Sequence, residues 1–270
     1  MIRKLCRALL ICLVAAGAAR GQDVDPEASP IWQKVHAGLF AGAPIAPGDG
    51  VVALEAPARA QDAATVPITI RAQFPQTADR YIDKVWLVVD NNPSPIAAIF
   101  QFTQLSGRAD IETRIRVEQY THVRAIAATN DGSLYMATRY VKASGGCSAP
   151  LGPDAAGANA SIGKMRILVD QAPPPGQPAL ASLMISHPNV SGLAMDQSTR
   201  TYAPAHFVRS VEVRRGGDLI MRADVDFSIS ENPYFRFYIA PADEGALEAT
   251  VVDNQDLVFT SHIGTGATQR

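Results

Sequence analysis

Ile111-Glu112-Thr113-Arg114-Ile115-Arg116-Val117 alternates strictly, with Ile111, Thr113, Ile115 and Val117 on one face. A period of two marks a strand with one face in a core. The same signature recurs on both sides. Upstream lie candidate strands at 51–55, 65–71, 81–90 and 97–104, with Pro67 suited to an edge or a strand start. Downstream lie 121–129 and 134–141, joined by the hairpin turn Asn130-Asp131-Gly132-Ser133. Seven short strands at regular spacing, separated by turn signals, predict a β-sandwich.

The pattern then repeats. Residues 143–161 are almost all Gly, Ala, Ser and Pro, which bury too little to form a core and read as loop or linker. A brief apolar strand at 163–169 and the proline-rich spacer 171–178 follow. Strands are expected again at 180–186, at 206–214 and 219–226 around Gly216-Gly217, at 234–239, and at 245–253 and 257–262. The fold class is therefore all-β, with two sandwich domains packed on each other. One short helix precedes them: Ile31, Val35 and Leu39 share a face, and Ser29-Pro30 offers a cap and a first-turn proline.

The N-terminus reads as a secretory signal peptide over 1–21. Arg3, Lys4 and Arg7 precede an apolar run at 8–16, and Ala19 and Gly21 supply small residues before a cut ahead of Gln22. The run is shorter than the roughly 20 apolar residues that span a bilayer. The expected divisions are signal peptide 1–21, disordered leader 22–30, first sandwich 31–150, linker 151–178 and second sandwich 179–265. Export to the periplasm follows from the signal. Cleavage leaves 20 basic and 26 acidic side chains, a net charge of −6. No basic stripe favours nucleic acid, and nothing calls for a membrane partner.

Cysteine use is the sharpest chemical signal. Cys6 and Cys12 leave with the signal, so Cys147 stands alone and cannot form an internal disulfide. An intermolecular bond, a reactive thiol and a buried bystander remain. The neighbours Gly145-Gly146 and Ser148-Ala149-Pro150 supply no bulky apolar cover. Composition thus favours an exposed thiol on a mobile loop hinged at Gly145 and Gly146. Lys142 is the nearest charge in sequence, either favouring the thiolate or merely solvated. A thiol hydrolase needs a histidine base, yet His36, His122, His187, His206 and His262 sit in no catalytic motif. Met184, His187 and Met195 offer a soft metal site in principle, but loop punctuation and packing explain them more simply. No metal, no cofactor and no catalytic residue are expected.

The first half also resembles SoxY, the carrier subunit of bacterial sulfur oxidation. The resemblance rests on Asp90-Asn91-Asn92-Pro93, residues 111–117, Asp131-Gly132-Ser133-Leu134-Tyr135 and Gly145-Gly146-Cys147. The second half resembles its partner SoxZ through His187-Pro188, Ser191-Gly192-Leu193, Pro204-Ala205-His206-Phe207-Val208, Glu231-Asn232-Pro233-Tyr234-Phe235 and Val252-Asp253-Asn254. Fused chains of this order resemble the SoxYZ-like carriers associated with quinoprotein dehydrogenases. The resemblance implies immunoglobulin-like sandwiches, a docking scaffold in the second half, and Cys147 as the point of covalent sulfur attachment. In the resembled carrier the cysteine lies in a terminal Gly-Gly-Cys-Gly-Gly arm. Here Ser148-Ala149 replaces the second glycine pair and the chain continues.

The expected function is a non-enzymatic periplasmic carrier loaded and unloaded on Cys147 by separate oxidoreductases, a quinoprotein dehydrogenase among them. The alternative is a non-catalytic assembly partner of such a dehydrogenase. A lone exposed thiol in an oxidising compartment also makes a disulfide-linked homodimer through Cys147 an expected state.

Overall fold

The computed structural model describes residues 25–150, 160–170, 173–195, 199–241 and 245–263. The segment 1–21, expected to be a signal peptide, and residues 151–159 and 171–172 of the expected linker lie outside them. Helix α1, Pro30–Phe40, starts where expected, with the Ser29 hydroxyl accepting the Trp32 N–H. The first half contributes β1 (Ala46–Pro47), β2 (Val52–Glu55), β3 (Val66–Ala72), β4 (Ile82–Val89), β5 (Ile96–Phe102), β6 (Ile111–Ile115), β7 (Thr121–Thr129) and β8 (Leu134–Val141). The second half contributes β9 (Met165–Val169), β10 (Ala179–Ile185), β11 (Val208–Arg215), β12 (Asp218–Val225), β13 (Tyr234–Ile239), β14 (Leu247–Asp253) and β15 (Val258–Ile263). Among the described residues no helix is long and apolar enough to cross a membrane.

The strands build an all-β, immunoglobulin-like sandwich of two sheets. The large sheet runs β1-β8-β7-β4-β5-β12-β11-β14-β15 and the small one β2-β3-β6-β13-β10-β9. Each sheet passes from the first half into the second. In the large sheet β5 pairs antiparallel with β12, from Phe102 opposite Met221 to Ala98 opposite Val225. In the small sheet β6 meets β13 at Glu112–Arg236 and Ile111–Phe237. The halves are therefore joined edge to edge, where the sequence suggested two sandwiches packed on each other. Alternation tells which face is buried but not which strand lies alongside.

One apolar core runs through both halves. Phe100 on β5 meets Phe235 on β13 edge-on across the two sheets, with ring centroids 6.3 Å apart. Strands that would otherwise be sheet edges are paired, which removes their open hydrogen-bonding rows from solvent.

Helix α1 covers the outer face of β4 and β7 with Trp32 and Phe40, against Val88 and Ile126. Beneath it Arg124 is fully buried. Its Nε and Nη2 donate to the two Asp90 oxygens at 2.9 and 2.8 Å, and Trp32 lies over its guanidinium at 4.3 Å. Arg124 also donates to Pro26 O, and Glu27 accepts from the Trp32 indole. Residues 25–30 are thus a docked turn with a 3-10 stretch at Pro26–Ala28, not the disordered leader expected of them. Their backbone and the Glu27 carboxylate complete the surroundings of a buried cation.

Removing one member of a buried ion pair strands the other. Asp90→Ala should lower stability by about 3 kcal/mol in urea unfolding. A loss below about 1 kcal/mol would show that Glu27 and Pro26 suffice to hold Arg124.

Candidate functional site

The strand pairing of β6 stops at Ile115, and the chain then turns into the seam between the halves. Arg116 N–H donates to Ser228 O at 2.7 Å, and Val117 N–H to Ala63 O at 2.8 Å. Asn92 holds this run from the side. Its Nδ2 donates to Arg116 O at 2.8 Å, and its Oδ1 accepts the Glu118 N–H at 2.9 Å. The Asp90-Asn91-Asn92 turn is therefore structural: Asp90 pairs Arg124, and Asn91 ties down Tyr120 and Thr121.

The cysteine segment lies along this run. Gly145 N–H donates to Glu118 O at 2.9 Å, and Gly146 N–H to Val117 O at 3.0 Å. The Glu118 carboxylate accepts Cys147 N–H at 2.8 Å, Ser148 N–H at 3.1 Å and the Ser148 hydroxyl at 2.8 Å. From the second half the Ser191 hydroxyl donates to Cys147 O at 2.5 Å. Five hydrogen bonds to residues 117 and 118, and one across the seam, hold the segment closed.

Cys147 is accordingly buried, at 1% exposure, which corrects the expected exposed thiol. The glycines have duties in this closed position other than mobility. A Cβ on Gly146 would lie 2.0 Å from Ala63 O, so no side chain fits there. Gly145 adopts φ +82°, a region that favours glycine. Burial above all, then the Glu118 carboxylate, pushes the Cys147 thiol up to about 12; Arg116 opposes this and Asp226 adds to it. Lys142, the nearest charge in sequence, is exposed and is not among the groups acting on the sulfur. His122 sits on β7 with its ring edge-on to Tyr140 at 4.9 Å.

Two family models match the chain. "Sulfur oxidation protein SoxY" covers residues 36–147, and "Sulphur oxidation protein SoxZ" covers residues 165–263. The chain carries a SoxY domain followed by a SoxZ domain. Together they indicate a sulfur-oxidation carrier protein. Among solved structures, the sulfur carrier protein SoxY from Chlorobium limicola f thiosulfatophilum is 22% identical. That match covers 42% of this chain and 91% of that one, with a TM-score of 0.35. A superoxide reductase (neelaredoxin) from Ignicoccus hospitalis is 15% identical over 34% of this chain and 79% of that one, with a TM-score of 0.31. Fibronectin(III)-like modules of Clostridium thermocellum CbhA are 12% identical over 82% and 88%, with a TM-score of 0.21. No curated protein matches.

The SoxZ domain brings a second polar cluster to the seam. His187 and His206 face one another at 4.6 Å between ring centroids, and their ligand atoms and that of Asp253 fall within 4.8 Å of one another. The sequence grouped His187 with Met184 and Met195, and the structure groups it with His206 and Asp253. The cluster does not fit a metal ion. Asn189 N–H donates to His187 Nδ1 at 3.0 Å, which places the ring proton of a neutral imidazole on Nε2. That nitrogen lies 3.7 Å from Asp253 Oδ2 and presents a hydrogen rather than a lone pair. Asp253 is engaged by His206 Nε2 at 2.8 Å and by the backbone N–H groups of Gln255 and Leu257. Burial would raise the Asp253 carboxyl, but these hydrogen bonds outweigh it and hold it below its ordinary range. Burial, aided by His206, pulls His187 down to about 4.

Sequence reasoning missed Arg116, Glu118, Asn189 and Ser191. Only the pairing of a strict alternation with an arginine next to its end could have drawn attention to Arg116.

Two outcomes follow. Glu118→Ala removes three of the bonds on the cysteine segment. It should speed iodoacetamide labelling of Cys147 in the folded protein by at least about tenfold, read by mass spectrometry. An unchanged rate would mean that Glu118 does not hold the segment shut. For His187, a folded pKa below the unfolded one means that the neutral ring adds stability above about pH 6.5. That stability is lost as pH falls towards 4. The stability of the native protein relative to His187→Asn should therefore drop by roughly 3 kcal/mol between pH 7 and pH 4. A pH-independent difference in chemical denaturation would contradict a neutral buried ring.

Proposed function

We propose that this protein is a periplasmic carrier that holds a sulfur-containing or other small electrophilic group covalently on Cys147 and presents it to partner enzymes. The observation that supports it most directly is where the SoxY match ends. It ends on residue 147, the single cysteine among the described residues, against the seam with SoxZ. Glu118 and Ser191 hold the Cys147 backbone N–H and carbonyl, one from each domain. The partners are periplasmic oxidoreductases, a quinoprotein dehydrogenase among them, and the chemistry is theirs.

A carrier of this kind works by opening. The closed segment keeps the sulfur protonated and inaccessible, so loading requires release of the Glu118 and Ser191 bonds. The segment opens transiently in the free protein, and docking of a partner enzyme on the seam holds it open. A disulfide-linked homodimer through Cys147 requires the same opening.

Burial of the thiol also favours a second reading, in which the protein is a non-catalytic assembly partner and Cys147 never turns over. Intact and peptide mass spectrometry of protein from its native periplasm, with and without reductant, separates the two. The carrier reading expects a reductant-labile adduct on the Cys147 peptide and loss of function in a folded Cys147→Ser variant. An unmodified thiol together with full function in Cys147→Ser would leave the assembly reading.

A further inference from the structure

Arg116 is a buried cation without an anion. It is 6% exposed, and its Nη1 donates to Asn189 O at 2.7 Å, Phe227 O at 2.8 Å and Ile229 O at 3.0 Å. All three acceptors are neutral carbonyls of the SoxZ domain. Among the described residues no carboxylate lies within ion-pair distance of Arg116, and its Nε and Nη2 donate to no protein acceptor, an edge that is not sealed from solvent. The other deeply buried arginine, Arg124, has Asp90 across two of its nitrogens. An unpaired buried charge is costly, and a site that keeps one has a use for it.

The missing anion belongs beside Cys147. Gly145 faces Glu118 and Gly146 faces Val117 through their hydrogen bonds, so the two segments run in opposite directions. The next positions in that order are Cys147 and Arg116. Both are also tied to one SoxZ loop, Arg116 through Asn189 O and Cys147 through the Ser191 hydroxyl. Burial pulls the Arg116 guanidinium below its ordinary range, while the Cys147 sulfur and then Glu231 act against that shift. The sulfur is itself protonated at rest, so the bare thiol does not neutralise Arg116.

Of the carboxylates nearby, Glu231 is exposed and forms no ion pair with Arg116, and the other two are already engaged. Glu118 accepts three hydrogen bonds from the cysteine segment. Asp226 accepts the Ser228 N–H at 2.7 Å, and burial pushes it up to about 6.

We propose that Arg116 is the specificity-determining residue of the carrier, pairing an oxyanion at the end of the group held on Cys147 and so favouring anionic over neutral cargo in the closed site. This rests on the carrier reading above. The planar fork of a guanidinium suits an oxyanion, and its free Nε and Nη2 form one edge of that fork. Arg116 takes no part in making or breaking the cargo bond.

Two thiol reagents that leave an anionic and a neutral group test the charge preference. With tetrathionate, the Cys147 sulfur attacks a central sulfur, the central S–S bond breaks, and thiosulfate leaves with the electron pair. The product is Cys147–S–S–SO3−, and the thiol proton goes to solvent. With methyl methanethiosulfonate, the S–S bond of the reagent breaks, methanesulfinate leaves, and the product is the neutral Cys147–S–S–CH3. Mass spectrometry confirms each single adduct on the full-length protein, and thermal unfolding compares them.

The anionic form should melt about 4 °C or more above the neutral form. Arg116→Gln should abolish that gap and Arg116→Lys should keep its sign. Equal melting temperatures in the unaltered protein, or a gap that survives Arg116→Gln, would overturn the proposal; the first comparison holds even if a variant does not fold. A Cys147 that accepts neither reagent until the protein is unfolded would instead overturn the carrier reading, and this inference with it.

Discussion

The edge-to-edge pairing of β5 with β12 and β6 with β13 is the constraint on which the rest of the molecule depends. It makes two sheets out of what would otherwise be four, and one core out of two. It also creates the seam. Just past Ile115, where β6 gives out, Arg116 and Val117 turn aside to Ser228 O and Ala63 O. Loops 187–191 and 226–230 of the SoxZ domain close over them. Every group around Cys147 is positioned by this junction.

The cysteine segment shows how reactivity and protection are separated in such a fold. A thiol pushed up to about 12 is ionised to only about one part in a hundred thousand at neutral pH. The closed state is therefore chemically quiet. Its hydrogen bonds are individually modest, each contributing about 1 kcal/mol net, so a docking partner can offset several of them. The segment is also short. Gly145 and Gly146 permit its path, and Gly146 permits the close approach to Ala63 O. The same small residues that admit the closed position impose little resistance to leaving it.

Much of this was legible in the sequence. Period-two alternation located the strands because each has one face in the core, and Asn130–Ser133 and Gly216-Gly217 marked hairpins through their turn chemistry. Ser29-Pro30 marked the helix start. Three things were not legible. Edge partners leave no trace in an alternating pattern, so the continuous sheets were unseen. The run Gly145-Gly146-Cys147-Ser148 looked mobile because composition records bulk, whereas its order comes from distant acceptors on Val117 and Glu118 and a donor on Ser191. Arg116 occupied the polar face of a strand in the sequence, yet the pairing ends one residue before it and the side chain is buried. Asn92 and Asn189 read as turn punctuation, but their side-chain amides organise the seam.

Neither domain alone contains the site. Arg116 and Glu118 come from the SoxY domain, as does Cys147, but every acceptor of the Arg116 side chain and the hydroxyl that holds Cys147 come from the SoxZ domain. Without those carbonyls the guanidinium would lose its three bonds and swing to water. Without Ser191 the cysteine carbonyl would be held by neither domain. Joining the domains in one chain makes their association intramolecular, so the seam forms at any protein concentration. The cost of bringing the two together is met once, in folding. On the proposed carrier reading, opening requires only that the cysteine segment part from residues 117, 118 and 191. Such an opening would break only a handful of hydrogen bonds and leave the sheets that position them undisturbed.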